Sequence, residues 1–371
     1  MVRLHPSSEE KHMSTTIMPT SPADIEAFTF KFAADLAAVA HAATVVLGDK
    51  LGLYAAMVAR GPSTPDELAD HTGCDARYLR EWLLAQAASG YANYESETGR
   101  FFLDGAQAAC LADESAPTFL AGGMAVVSSM HRDEDAVRHG FETGDGVGWH
   151  QHHHDLFTGT ERFFRPGYAA NLTSSWIPAI EGLDAALQRG IRVADVGCGH
   201  GASTLLMAQA YPASTFVGFD YHAESIDAAR ARALDCGLGD RVRFEVASAA
   251  DFPGRDHGLV CVFDALHDMG DPTSAAAHIR ASLAADGVFL LVEPSANDRP
   301  EDNFNLVGRI FYSASTFVCT PASRAQGGAD AACLGAQAGE ARLRAVLTDA
   351  GFATVRRAAD TPFNMILDAR P

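Results

Sequence analysis

The segment Asp195-Val196-Gly197-Cys198-Gly199-His200-Gly201 joins an apolar, strand-like run to the start of a helical pattern. Its alternate glycines permit positive φ in a tight turn and let a ligand approach the backbone with no Cβ in the way. Gly197, Gly199 and Ala202 also satisfy a dinucleotide fingerprint, with Asp220 about 20 residues further on. Asp195 opposes that reading: a carboxylate two residues before the first glycine repels a pyrophosphate and suits a positively charged ligand. A second point of chemistry is the pair His267-Asp268, which follows the apolar run 259–263, with Glu293 closing the run 287–292. An imidazole beside carboxylates is a general-base arrangement. A third is His150, His152, His153 and His154 beside Asp155. Neutral imidazoles bind zinc, copper or nickel, but chain neighbours rarely converge on one centre. No second cluster supplies ligands at a recognisable spacing, so no metal is expected.

Around these residues the sequence alternates strand and helix. Thr215 to Asp220 reads as a second strand ending in an acid, and Val242 to Val246 as a third, followed by the segment 247–252. The runs 259–263 and 287–292 read as a fourth and a fifth strand. After a helix over 340–350 come strands at 352–357 and 363–369. From about residue 190 to 371 this resembles a class I S-adenosylmethionine-dependent methyltransferase, with 195–201 as that family's first motif. The resemblance implies a Rossmann-like α/β sheet of seven strands, the last antiparallel. It implies a cofactor site built from Asp195, Gly197, Gly199 and Gly201, from Asp220 gripping the ribose hydroxyls with Tyr221 beside it, and from Asp264. Many relatives carry an acid where Ser248 stands, so adenine falls to Ser248, to the Ala249 amide or to Asp251. The His-Asp pair after the fourth strand matches the small-molecule O-methyltransferases, which implies His267 as base, Asp268 beside it and Glu293 orienting it.

The N-terminal half reads differently. Residues 1–20 are polar and aperiodic, a leader without an expected fold. Over 21–117 the pattern is helical: an apolar helix at 38–54, a helix-turn-helix over 65–88 opened by Thr64-Pro65-Asp66-Glu67, and a hairpin at 91–103. This is a winged helix. It carries six Lys/Arg against fourteen Asp/Glu, too few cations to neutralise DNA phosphates. In the O-methyltransferases that it resembles, such a domain implies a dimerisation module, so a homodimer is expected and nucleic acid is not. Residues 118–190 read as a helical connector turning at Gly122-Gly123; the resemblance implies that it walls the substrate side with Tyr168, Asn171 and Trp176 toward the cofactor's methionine end, and Trp176 reads equally as ordinary core. Residues 294–338 interrupt the domain 191–371 as a lid, with Phe304, Phe311 and Tyr312 as stacking candidates.

Composition bounds the rest. The chain has 371 residues, 47% hydrophobic, and a net charge of −19, enough for two cores and poorly matched to nucleic acid or anionic lipid. Seven cysteines without metal or disulfide spacing fit a reducing, cytoplasmic compartment. No run reaches about 18 consecutive apolar residues, so no membrane partner is expected. The reading is methyl transfer from S-adenosyl-L-methionine to a small-molecule hydroxyl. N- or C-methylation by proximity, a cofactor-sensing winged-helix regulator and a nicotinamide-dependent oxidoreductase stand as alternatives.

Overall fold

The computed structural model describes residues 20–371; all but the last residue of the polar leader lies outside them. The chain enters through α1 (Pro22–Lys50), started by a capping box in which Ser21 and Asp24 bond each other's backbone. The helix begins sixteen residues before the expected apolar stretch and stops sooner, because Gly52 takes a left-handed φ of 67° and opens α2 (Leu53–Arg60). The helix-turn-helix lies where its sequence signals put it. Thr64 and Glu67 cap α3 (Pro65–Thr72), Gly73 ends it at φ 73°, and Asp75 caps α4 (Ala76–Ala88). The wing is β1 (Asn93–Glu95) paired antiparallel with β2 (Arg100–Phe102), followed by α5 (Gly105–Leu111). Val45, Tyr54, Leu68, Leu79, Trp82 and Phe101 close this domain's core. On α4, Arg77 is paired with Glu81, which reduces what the helix offers a phosphate.

The connector is helical: α6 (Ala121–Arg132), α7 (Glu134–Thr143), α8 (Asp155–Asn171), a π-turn at Leu172–Trp176 and α9 (Leu183–Arg189). Gly122 and Gly123 do not turn the chain. They lie inside α6, where a Cβ on Gly122 would stand 2.8 Å from the Arg162 backbone, so they set the close packing of α6 on α8. Trp176 is fully buried in the core, as is Leu172.

The second domain alternates strictly at first: β3 (Arg192–Val196), α10 (Ala202–Ala210), β4 (Thr215–Asp220), α11 (Ala223–Asp235), β5 (Val242–Val246), β6 (His257–Phe263), α12 (Pro272–Ser282) and β7 (Leu283–Pro294). After β7 come α13 (Leu306–Ala314), a π-turn at Ser315–Cys319, α14 (Thr320–Gly327), α15 (Glu340–Asp349), β8 (Thr354–Asp360) and β9 (Asn364–Arg370). The sheet order is β5-β4-β3-β6-β7-β9-β8, parallel except for β9, which runs antiparallel to both neighbours. Strand order reverses at β3, so the crevice over the ends of β3 and β6 is the expected ligand position. The insertion between β7 and α15 is fastened across this end. Ser323 Oγ donates to the Met269 carbonyl at 2.9 Å, Gln326 Nε2 to the Asp268 carbonyl at 3.0 Å, and the Ala332 amide to the Gly270 carbonyl at 2.9 Å.

One glycine holds the crevice open from below. Gly218, inside β4, has the Phe244 ring where a Cβ would be, at 2.5 Å, and the Cys198 sulfur at 2.9 Å. Gly218→Val therefore displaces Phe244 into the underside of the glycine turn and should cost about 1–3 kcal/mol by overpacking. A lowered melting temperature in thermal denaturation is the expected outcome; an unchanged one contradicts this packing.

Candidate functional site

The turn between β3 and α10 is left-handed at Gly197 (φ 74°) and Gly201 (φ 79°). Side chains are excluded twice over, since a Cβ would meet Ala265 at 2.9 Å in the first case and the Phe244 ring at 2.6 Å in the second. The Gly199 amide donates to Asp220 Oδ2 and the His222 amide to Oδ1, both at 2.9 Å. These bonds fix the carboxylate at the tip of β4.

The turn borders a cavity of about 570 Å³, a size suited to a small-molecule ligand. Gly197, Gly199, Asp220, Tyr221, Ser248, Ala249, Asp264 and Tyr168 all line it. Asp195 and Gly201 do not, which corrects the expectation that Asp195 faces a ligand. Asp195 has no exposed surface, and its Oδ2 accepts from Ser203 Oγ and Thr204 Oγ1, both at 2.6 Å. The first turn of α10 brings these hydroxyls over the acid and draws it beneath the glycines. Its Oδ1 has no partner. Burial outweighs the two hydroxyl bonds and pushes this carboxyl up to about 6.

Five acids stand on the wall itself: Glu161, Asp220, Asp264, Asp268 and Asp271. Among the described residues no lysine or arginine lines it. Asp264, held at a left-handed φ of 50°, accepts from the Tyr168 hydroxyl at 2.6 Å and from Asn364 Nδ2 at 2.8 Å. Burial lifts it to about 8 despite the tyrosine bond. Glu161, buried to 5% exposure of its side chain, lies 3.0 Å from Arg165 and 2.8 Å from Arg232, in charge contact but without hydrogen-bond geometry. Glu161 escaped the sequence reading, although Phe157, Glu161, Phe164 and Tyr168 recur on one face of α8 and all four line the cavity. Asp251 is exposed and off the wall, and Asn171 bonds back to its own helix.

His267 and Glu293 meet behind the wall. His267 Nδ1 lies 2.6 Å from Glu293 Oε2, while Glu293 Oε1 accepts the Leu266 amide at 2.9 Å. Nε2 lies 3.1 Å from Asp268 Oδ1, in charge contact but without hydrogen-bond geometry. Burial alone would lower the imidazole; the Asp268 and Glu293 carboxylates outweigh it and hold His267 well above its ordinary value. Of the three, only Asp268 reaches the cavity. The stacking candidates do not: Phe304 is exposed, and Phe311 is buried edge-on against Phe363.

The histidine run separates. His152 is buried with Nδ1 2.9 Å from Asp133, His150 and His154 are exposed, and buried Asp155 pairs with Lys50 at 2.7 Å and Arg132 at 3.0 Å. His153, His154 and Asp155 nonetheless bring their donor atoms within 4.8 Å of one another.

Residues 187–351 match the methyltransferase domain family and residues 38–113 the Rv2258c-like winged helix-turn-helix domain. A probable chloroplastic tocopherol O-methyltransferase of Oryza sativa subsp. japonica is 30% identical over 128 residues, 32% of this chain and 35% of that protein. The curated relatives are matched over 24% to 48% of their length. Two solved structures share the whole architecture. The mitomycin 7-O-methyltransferase MmcR has a TM-score of 0.68 at 18% identity, covering 95% of this chain and 100% of its own. Human N-acetylserotonin methyltransferase, solved with S-adenosylmethionine, has 0.67 at 17%, covering 95% and 99%.

The buried acid under the turn gives a pH test. A carboxyl whose folded pKa is raised contributes stability that is complete below its unfolded value, about 4, and lost as pH rises through its folded value; for Asp195 that value is about 6. Asp195→Asn mimics the protonated form and still accepts the Ser203 and Thr204 hydroxyls. The variant should melt close to wild type at pH 4 and above it at pH 8, in scans without ligand. An equal deficit at both pH values refutes the assignment.

Proposed function

We propose that this chain, in which a methyltransferase domain at residues 187–351 follows a winged helix-turn-helix domain at residues 38–113, transfers a methyl group from S-adenosyl-L-methionine to a hydroxyl of a small molecule. The observation that carries this is the wall of five acidic side chains with no lysine or arginine among the described residues. Such a wall attracts a sulfonium and an ammonium and repels a pyrophosphate, which disfavours the nicotinamide alternative. The unpartnered Oδ1 of Asp195 adds negative potential from behind the turn. Bound there, the donor supplies an activated methyl group on a positively charged sulfur.

The residues divide the remaining work. Asp220, fixed by two backbone amides, suits a ribose diol, and Ser248 and Ala249 border the adenine. Tyr168 and Asp264 stand at the methionine end. Holding an acceptor in line with the methyl–sulfur bond can supply roughly 7–11 kcal/mol. The acceptor's proton leaves toward the His267–Asp268 pair, with Asp268 at the cavity and His267 behind it, and Glu293 fixes the imidazole through Nδ1. A wall without arginine or lysine favours a neutral hydroxyl compound over a polycarboxylate acceptor.

The N-terminal domain serves as a homodimer interface. Ile25, Phe28, Phe30, Phe32, Leu36 and Val39 are all exposed along α1, and among the described residues nothing covers them. Contiguous exposed apolar surface of this kind marks an interaction site. The helix is long and apolar enough to cross a membrane by length and composition. Its C-terminal part, however, packs into the winged-helix core through Val45.

Three measurements test this reading. Calorimetric titration should detect S-adenosylmethionine or its demethylated product and no NAD or NADP; His267→Ala should keep that binding and lose about 10²–10⁴ in turnover on a hydroxyl acceptor. Binding of the phosphate-bearing coenzymes instead would overturn the cofactor, and unchanged turnover the base. In sedimentation, wild type should run as a dimer and a Phe28→Asp/Phe32→Asp variant as a folded monomer. A wild-type monomer at micromolar concentration excludes the interface.

A further inference from the structure

The π-turn at Ser315–Cys319 brings a thiol up to the His267–Asp268 pair from the inserted segment. π-turns inside helices recur at functional sites. A ring nitrogen of His267, a carboxylate oxygen of Asp268 and Cys319 Sγ all lie within 4.8 Å of one another, and Nε2 is the nitrogen 3.1 Å from Asp268 Oδ1. Tetrahedral coordination with bonds of about 2.0–2.3 Å sets two donors about 3.3–3.8 Å apart, so the three side chains must draw together to share one ion.

Three further features point to an ion. Glu293 holds Nδ1 at 2.6 Å and is itself held by the Leu266 amide. That carboxylate–imidazole arrangement fixes Nε2 as the outward donor in metal sites. Asp268 Oδ1 is buried and receives no hydrogen bond. Asp268 also lines the cavity, which leaves a fourth coordination position open to water. A nitrogen, an oxygen and a sulfur donor suit zinc or another thiophilic ion and not magnesium or calcium.

We propose that His267, Asp268 and Cys319 bind one thiophilic divalent cation of the zinc type, and that this binding excludes proton uptake by His267. Coordination occupies the Nε2 position that would otherwise hold the acceptor's proton, and the proton on Nε2 and that of the Cys319 thiol both leave to solvent. The site stands on these residues independently of the methyl-transfer reading; only its inhibitory consequence rests on that reading.

The test uses the full chain, stripped with chelator, then loaded with Zn²⁺ or Co²⁺ and dialysed. Stoichiometric zinc should be retained, and Co²⁺ should show tetrahedral visible bands with a thiolate charge-transfer band in the near ultraviolet. Cys319→Ser, checked for folding by its melting temperature, should lose that band and the retained zinc, and Glu293→Gln should weaken binding about 10–100-fold. Zn²⁺ should stop methyl transfer by wild type and spare Cys319→Ser. Three results overturn the proposal: no retained metal, no thiolate band, or binding unchanged in Cys319→Ser, which assigns the ion to His153, His154 and Asp155. If no acceptor is ever turned over, the cobalt spectrum still decides.

Discussion

Acids gathered at one end of a parallel sheet, with no lysine or arginine among the described residues lining the cavity beside them, are the constraint from which the rest of this structure follows. Burial and mutual repulsion push two of them, Asp195 and Asp264, to about 6 and about 8. Asp264, on the cavity wall, is therefore held largely protonated near neutral pH. Each acid is held where it is unfavourable by bonds from the fold: Asp195 by Ser203 and Thr204, Asp220 by the Gly199 and His222 amides, Asp264 by Tyr168 and Asn364. Such spending of folding free energy on a like-charge cluster is expected at a site whose ligand brings the opposite charge.

The sheet explains why these groups meet. Asp195, Asp220 and Asp264 lie at or just past the C-terminal ends of β3, β4 and β6, and Glu293 lies near the end of β7. Parallel alignment brings four separate stretches of sequence to one edge. The inserted segment then closes that edge through bonds to the 267–270 backbone, so the pocket's roof and the His267 segment form one unit.

Much of this was legible in the chain because it rests on local rules. Alternating strand and helix patterns, the glycine turn, the caps at Thr64 and Asp75 and the order of acids after strands each depend on a few neighbouring residues. What was not legible depends on packing between distant segments. Nothing near Asp195 says whether its carboxylate turns toward a ligand or under the turn; the hydroxyls of Ser203 and Thr204 decide it. Gly122-Gly123 has the look of a turn in isolation and becomes a helix contact only when α8 lies against it. Glu161 was visible in principle, one helical face with Phe157, Phe164 and Tyr168, but its value as a wall residue depended on where that face was aimed.

The two domains are coupled by charge at the roof. Arg309 on α13 reaches Asp35 on α1 at 2.8 Å, and Lys31, one turn earlier, pairs with the same carboxylate. Exposed pairs of this kind contribute little stability. Their position has a geometric consequence instead. Asp35 lies within the stretch of α1 whose apolar side chains are exposed, and α13 leads through the π-turn to Cys319 beside His267. The Arg309–Asp35 pair therefore ties the exposed stretch of α1 to the inserted segment that carries Cys319.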